Sequence, residues 1–326
     1  MKVLITGANG LLGTHISLEL LNRGYEVNAL VRQKHKLKIT KKKGLNVIEG
    51  NFTEPKEVEK AIKGCDYIIH AAALTNQNIR NFNRYRKINI EGTKTLLNIA
   101  KRYNVKKFIY VSTANAFGYG DIHHPGDEKV SSAFPFTRSY YAQSKTSAQK
   151  MILNATKEIP VNIVNPTFML GAYGTGNGSD KIVLWGLNKR FLFYPPGGKN
   201  FIHASDAAKA TVNIMEKAPR GEAYLLSNEN LSYHDFFRKV IPYNKQKTRL
   251  IKIPKAILLL SGLLGSLLRA LGIRTALSFT NMQILCVQNY YTNAKAKPFL
   301  PAELKTTEEA IQDTIQWFKK HNIIAD

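Results

Sequence analysis

The sequence predicts an α/β fold, a doubly wound parallel sheet carrying a smaller C-terminal lobe. Three observations predict it. Short apolar runs bounded by glycines and turn residues recur along the first two-thirds of the chain, the pattern of strands buried on both faces. Segments of helical apolar periodicity separate them, so each strand is followed by a crossover. The first crossover opens on Gly7, Gly10 and Gly13, between the run Val3-Leu4-Ile5 and a helix with Leu11, Leu12, Ile16, Leu18, Leu20 and Leu21 on its apolar face. Strand, glycine turn and helix form the opening of a Rossmann-type unit.

The spacing of those glycines is Gly-x-x-Gly-x-x-Gly, not the commoner Gly-x-Gly-x-x-Gly. Glycine frees the backbone to turn sharply and lets a ligand come close. The following helix N-terminus offers unpaired N–H groups and a positive dipole end to a pyrophosphate. Gly7, Asn9, Gly10, Leu11, Leu12 and Gly13 are therefore the expected dinucleotide cradle. The alternative is a tight turn that binds nothing. The place of the motif, after a strand and opening a helix, argues against it.

The totals bound the rest. A chain of 326 residues suits one large domain or two unequal ones. The expected division is a dinucleotide-binding domain over 1–167 and a substrate lobe over 168–326, with 200–227 returning to the first. No signal peptide and no bilayer-spanning run are expected. Cys65 and Cys286 make neither a metal spacing nor a disulfide framework, which fits a reducing cytoplasm. A formal net charge of +24 favours anionic ligands and loose contact with nucleic acid or acidic membranes. The preferred reading is a lysine-rich surface. No basic–aromatic module of the nucleic-acid-reading kind is present, so no nucleic acid is expected as partner. The run Lys41-Lys42-Lys43 reads as a solvated loop.

The elements follow in order. Tyr25–Val31 is a second strand, ending in Arg32 where a Rossmann strand faces the adenosine ribose. An acid there favours NAD(H). A guanidinium fork instead suits a 2′-phosphate, so NADP(H) is the expected cofactor, with NAD(H) as the alternative. Asn46–Glu49 is the third strand, followed by Gly50-Asn51-Phe52-Thr53 and a short helix from Glu54-Pro55. Asp66–Ala73 is the fourth. Its small residues Ala71, Ala72 and Ala73 leave room for a cofactor, and His70 reads as packed or cofactor-facing. Asn89–Ala100 is helical. Phe108–Ser112 is the fifth strand, running into Thr113. A hydroxyl pair at a strand's carboxyl end stands where open α/β sheets keep their chemistry. The adjacent His123 and His124 point apart on most backbones, so no metal is expected.

Tyr141 and Lys145 are four residues apart and share one helix face. A nearby ammonium lowers a phenol's pKa toward the working range, so the tyrosine can exchange a proton. Tyr140 lacks this spacing. Val161–Val164 is the sixth strand, followed by Asn165-Pro166-Thr167. A Gly/Tyr-rich segment to Asp180 reads as a mobile loop over the substrate. Glu222–Ser227 is a further strand, and a helix starts at Ser232. Ala256–Leu268 is very apolar and flanked by Lys252, Lys255, Arg269 and Arg274. It reads first as a buried helix of the lobe, then as a greasy lid or a membrane-surface patch. Thr306–Lys319 is an amphipathic C-terminal helix.

Thr6–Gly13, Asn89-Ile90-Glu91-Gly92-Thr93, the Ser112-Thr113 strand end and Tyr141-x-x-x-Lys145 resemble the extended short-chain dehydrogenase/reductase family (the NAD-dependent epimerase/dehydratase superfamily). Asn165-Pro166-Thr167 is similar to the dihydroflavonol-reductase-like branch, where many sugar-nucleotide epimerases carry Arg-Pro. The segments Pro195–His203 and Ser205–Ala210 match the family's later strand and helix, with Ser205 replacing an acid. The resemblance implies that Thr113 grips the reacting carbonyl, with Ser112 in reserve. Tyr141 gives the proton, and Lys145 holds the nicotinamide ribose. It adds Asn51, Phe52, Asn89, Pro166 and Thr167 to the cofactor contacts, with Asn89 tying its helix to the neighbouring strands and Asn51 standing where relatives carry an acid. It implies a homodimer packed through two helices of each subunit. The expected activity is NADP(H)-dependent reduction of a ketone or aldehyde. The alternatives are a nucleotide-sugar epimerase or dehydratase with retained NAD, and a non-catalytic sensor or membrane-associated subunit.

Overall fold

The computed structural model describes residues 1–40, 42–273, 275 and 277–324. Lys41 of the lysine run and Arg274 beside the apolar segment lie outside them. Lys42 and Lys43 are exposed.

The first half alternates strand and helix as the apolar runs predict, except that β2 reaches β3 through a single 3-10 turn at Lys34–Lys36. β1 (Lys2–Thr6), α1 (Leu11–Asn22), β2 (Glu26–Val31), β3 (Leu45–Glu49), α2 (Pro55–Ile62) and β4 (Tyr67–His70) come first. The crossover after β4 is more irregular. A turn of helix, α3 (Phe82–Tyr85), runs into a π-helical segment over Arg86–Gly92 and then α4 (Thr93–Arg102). β5 (Lys107–Val111), α5 (Tyr140–Asn154) and β6 (Val161–Pro166) complete the half. Then follow β7 (Phe168–Leu170), α6 (Lys181–Gly186), β8 (Phe191–Tyr194), β9 (Gly198–His203), α7 (Ala204–Lys217) and β10 (Glu222–Leu226). The C-terminal part holds β11 (Glu229–Ser232), α8 (Tyr233–Val240), β12 (Arg249–Lys252), α9 (Lys255–Ala270), α10 (Phe279–Leu285), β13 (Gln288–Asn289) and α11 (Thr307–Lys320).

Seven strands form one sheet in the order β3-β2-β1-β4-β5-β6-β10, and every neighbouring pair is parallel. The order reverses between β1 and β4, which opens a crevice at their carboxyl ends. Apolar layers cover both faces. Ile16 and Leu20 of α1 pack with Ala208 and Met215 of α7 on one side. Leu96 of α4, Ile152 of α5 and Val58 of α2 pack on the other. A third core, around Phe201, Phe236, Phe237 and Ile311, belongs to the lobe built by β9, α8 and α11. Segment 200–227 bridges the two regions: β9 pairs in the lobe, α7 lies against α1, and β10 closes the main sheet.

Two expectations are corrected. The apolar segment 256–268 is helical but not buried. Leu258, Gly262 and Gly265 face inward, while Ile257, Leu260, Leu263, Leu264, Leu267 and Leu268 are exposed. The small residues are inside because α10 and its lead-in approach closely: a Cβ on Gly265 would stand 2.4 Å from Leu277 Cβ, and one on Gly262 2.8 Å from Met282 Cγ. The second correction concerns the Gly/Tyr-rich segment. It lines the mouth of the glycine turn and is packed against the C-terminal helix, not loose. Tyr173 packs on Trp317 at 4.5 Å, Trp317 Nε1 donates to Gly174 O at 2.9 Å, and the buried Asp180 carboxylate accepts from Gly176 N and Gly178 N.

Candidate active site

The glycine turn has the shape its spacing implies. Gly7 sits at φ +75°, and a Cβ there would stand 2.7 Å from Ala72 N. A Cβ on Gly13 would stand 2.1 Å from Gly7 O, so only glycine lets α1 start this close to β1. Gly10 is the N-cap and supplies no side-chain cap. Thr14 N is the first helical donor, bonded to Gly10 O, so the N–H groups of Leu11 and Leu12 have no intrahelical acceptor. A cavity of about 120 Å3 opens there, lined by Asn9, Gly10, Leu11, Lys38 and the 174–180 segment. Unpaired donors at a helix N-terminus, with room beside them, fit the pyrophosphate of a dinucleotide.

The other expected cofactor contacts line the carboxyl edge of the sheet. Arg32 is exposed just past β2. Asn51 Oδ1 accepts from Thr53 N at 3.2 Å, leaving one lone pair for an amino group. Phe52 packs on His70 at 4.9 Å. Ala71, Ala72 and Ala73 continue β4 at intermediate exposure. His70 is a fully buried packing residue: Nδ1 meets Thr6 Oγ1 at 2.6 Å and Nε2 meets Thr93 Oγ1 at 2.9 Å. Burial first, then the nearby Lys145, holds it well below the usual imidazole range. Asn89 lies in the π-helical segment. It accepts from Leu74 N at 2.7 Å and donates to Leu74 O and Ser144 Oγ, joining the chain after β4 to α5. Pro166 ends β6, and Thr167 donates to Asn200 Oδ1 at 2.7 Å. The Ser112 hydroxyl is buried and has no hydrogen-bond partner among the described residues. An orphaned hydroxyl at this edge is a second feature that suits a bound group.

Thr113 and Tyr141 come together, and Lys145 lies one turn further along α5. Thr113 follows β5 and caps a short turn, accepting from Asn115 N at 3.3 Å. Asn165 Nδ2 donates to Thr113 O and to Gln149 Oε1, both at 2.8 Å, and so anchors the Thr113 backbone to β6 and α5. Ser139 caps α5, which puts Tyr141 in its first turn and Lys145 one turn further in. The Thr113 hydroxyl lies beside the Tyr141 phenol and favours its anion. Burial outweighs that and pushes Tyr141 up to about 12. Lys145 is 2 % exposed. Its Nζ donates to Val111 O at 2.6 Å and stands 4.1 Å from the Tyr110 ring centroid. Burial pulls it down to about 7.

This electrostatic balance differs from the expectation that the lysine lowers the phenol. Lys145 is turned to a carbonyl and an aromatic face, and it is only partly charged near neutrality. Desolvation therefore sets the state of Tyr141, and the phenol stays protonated. Sequence reasoning missed Tyr110, Tyr85 beside Tyr141, and the Asn165–Gln149 pair. Tyr110 reads as a core strand residue, so only the α5–β5 contact makes it part of the site.

A parallel sheet with a dinucleotide cradle at its switch point and a Thr–Tyr–Lys cluster at its carboxyl edge defines an oxidoreductase of the extended short-chain dehydrogenase/reductase type. The chain belongs to the NAD dependent epimerase/dehydratase family, whose model matches residues 3–227. It is 27% identical to the 3-beta-hydroxysteroid dehydrogenase of Mycolicibacterium neoaurum over 97% of this chain and 91% of that protein. It is 26% identical to the dihydroflavonol 4-reductase of Callistephus chinensis over 73% of this chain and 71% of the relative. Among solved structures, that of gox2253 superposes with a TM-score of 0.82 at 26% identity, covering 99% of both chains.

Proposed function

We propose that this enzyme reduces a ketone or aldehyde with NADPH. The observation that carries the reading is the Thr113–Tyr141–Lys145 cluster at the carboxyl end of β5, with Tyr141 held protonated. A protonated phenol beside the Thr113 hydroxyl has the proton that reduction of a carbonyl consumes. The relatives named as a reductase and as a hydroxysteroid dehydrogenase carry out carbonyl–alcohol chemistry by name, which supports the direction.

In this reading the dinucleotide supplies hydride when bound. The chain's own residues do the rest. The Gly7–Gly13 turn and the α1 N-terminus hold the pyrophosphate, and Asn51, Phe52 and Ala71–Ala73 frame the adenosine side. Asn89 joins the chain after β4 to α5, and Pro166 and Thr167 border the nicotinamide side. Thr113 orients the carbonyl oxygen and Tyr141 delivers the proton to it. Lys145 holds the nicotinamide ribose, and Asn165 keeps Thr113 in place. The free thiols of Cys65 and Cys286 suit a reducing compartment, the cytoplasm.

Two experiments test this. Tyr141→Phe should cut kcat by about 10²–10⁴ while NADPH affinity is retained. Undiminished turnover of the variant with a panel of ketones, or a purified enzyme that carries tightly held NAD+ and ignores added NADPH, would refute the reductase. The preference for NADP(H) rests on Arg32 alone. Loss of its guanidinium in Arg32→Ala should weaken NADPH binding about tenfold or more and leave NADH unchanged, a result that titration by nucleotide fluorescence reads directly.

A further inference from the structure

Helix α9 is built inside out. Gly262 and Gly265 face the protein with Leu258, and most of its other leucines face solvent. Leu260, Leu264 and Leu271 are 61%, 62% and 79% exposed, and Ile257, Leu263, Leu267 and Leu268 fall on the same side. At 100° per residue these seven positions form one continuous apolar stripe. A stripe of this size is more than scattered surface leucines account for.

The surroundings say what covers it. Between Asp235 and Glu303 the sequence has no acidic residue and eleven lysines and arginines, of which Lys239 and Lys295 are ion-paired to Glu308 and Glu222. Lys252 and Lys255 are exposed where β12 leads into α9. β12 pairs with β8, on which Phe191 and Phe193 share one face and are both about half exposed. Two exposed lysines thus lead into the apolar stripe, and the strand before them pairs with one that carries two exposed aromatics. A second protein would present its own carboxylates to particular bases. A broad apolar strip bordered by diffuse positive charge instead matches the hydrocarbon boundary and anionic headgroups of a bilayer. No helix among the described residues is long and apolar enough to cross a membrane, so α9 would lie in the interface plane.

The stripe also has a fixed relation to the crevice. Arg269 Nη2 donates to Asn78 O at 2.8 Å, and Arg80 donates to Arg269 O, so the C-terminal end of α9 is held to the chain that follows β4. α10, packed under α9, approaches the Phe136–Arg138 turn just before Tyr141. We propose that α9 docks the enzyme on an anionic lipid surface, with the rim of its active-site crevice at the headgroup level.

Flotation with phosphatidylcholine vesicles, with and without phosphatidylglycerol, tests this without reference to the reaction. The full chain should float with the phosphatidylglycerol vesicles and much less with phosphatidylcholine alone. The triple change Leu260→Ser, Leu264→Ser, Leu267→Ser should cut that partitioning by at least about tenfold, because these side chains touch little else. Its melting temperature and dinucleotide affinity should be unchanged. Lys252→Glu with Lys255→Glu should weaken binding to phosphatidylglycerol vesicles only. Unaltered flotation of the leucine variant overturns the proposal. So does a wild type that ignores anionic vesicles and instead forms an oligomer, by sedimentation velocity, that the leucine variant dissolves. That result would make the stripe a contact between two copies of this chain. Loss of reductase activity in Tyr141→Phe bears on none of these outcomes.

Discussion

Lys145 is an ammonium that the fold has removed from water, held against Val111 O and the Tyr110 ring. Its pKa is about 7 in the fold against 10.5 in a free side chain. Below about pH 7 both folded and unfolded chains carry the charge, and the fold bears the whole cost of burying it. Above about pH 10.5 both are neutral and the cost is gone. Between those limits the unfolded chain binds more protons, so the Lys145 contribution becomes more favourable as pH rises. Lys145→Met should therefore raise the melting temperature of the cofactor-free protein most below pH 7, on the order of 5 °C, with the gain fading toward pH 10.5. A pH-independent shift in calorimetry would show that the lysine is not desolvated. At this scale the sequence was a good guide to identity and a poor guide to electrostatics. Residue spacing puts Tyr141 and Lys145 one turn apart on α5, but the balance of charge depends on how much water the packed chain admits. That burial comes from β5, α5 and Tyr85, which are far apart in sequence.

At the scale of elements, α1 is the most exacting. Its first turn touches the backbone of β1's exit, and no side chain can yield. Gly13→Ala should cost about 2–4 kcal/mol, a fall in melting temperature on the order of 10 °C, and should remove dinucleotide binding as well. A variant that melts and binds like the wild type would mean that α1 can shift away from Gly7 O. The strands and helices of the first half were legible because buried parallel strands read as unbroken apolar runs and glycines punctuate them. Two helical stretches depart from what the sequence predicts. The π-helical turn over Arg86–Gly92, which sets the Asn89 side chain between Leu74 and Ser144, has no signature that separates it from an ordinary helix. For α9 the sequence predicts burial, because leucine is usually buried. Its one available signal was the pair Gly262 and Gly265, three apart, which marks the face that a neighbour approaches closely.

At the scale of the molecule, the two helices α4 and α5 lie together on one face of the sheet, and we propose that they pack against the same pair in a second copy. Sedimentation velocity should then show a species of twice the 36.6 kDa chain mass that persists after the leucines of α9 are changed. A monomer at micromolar concentration would remove the proposal. The sequence by itself determined the sheet, its glycine turn, the family and the placing of Tyr141 and Lys145 one turn apart on α5, because those depend on short-range periodicity and on spacings within one element. Tertiary structure alone decided which face of α9 meets water, where the Gly171–Asp180 segment packs, and that burial, not Lys145, shifts the Tyr141 phenol. Each of these is set by surfaces contributed from distant parts of the chain, and by the solvent those surfaces exclude.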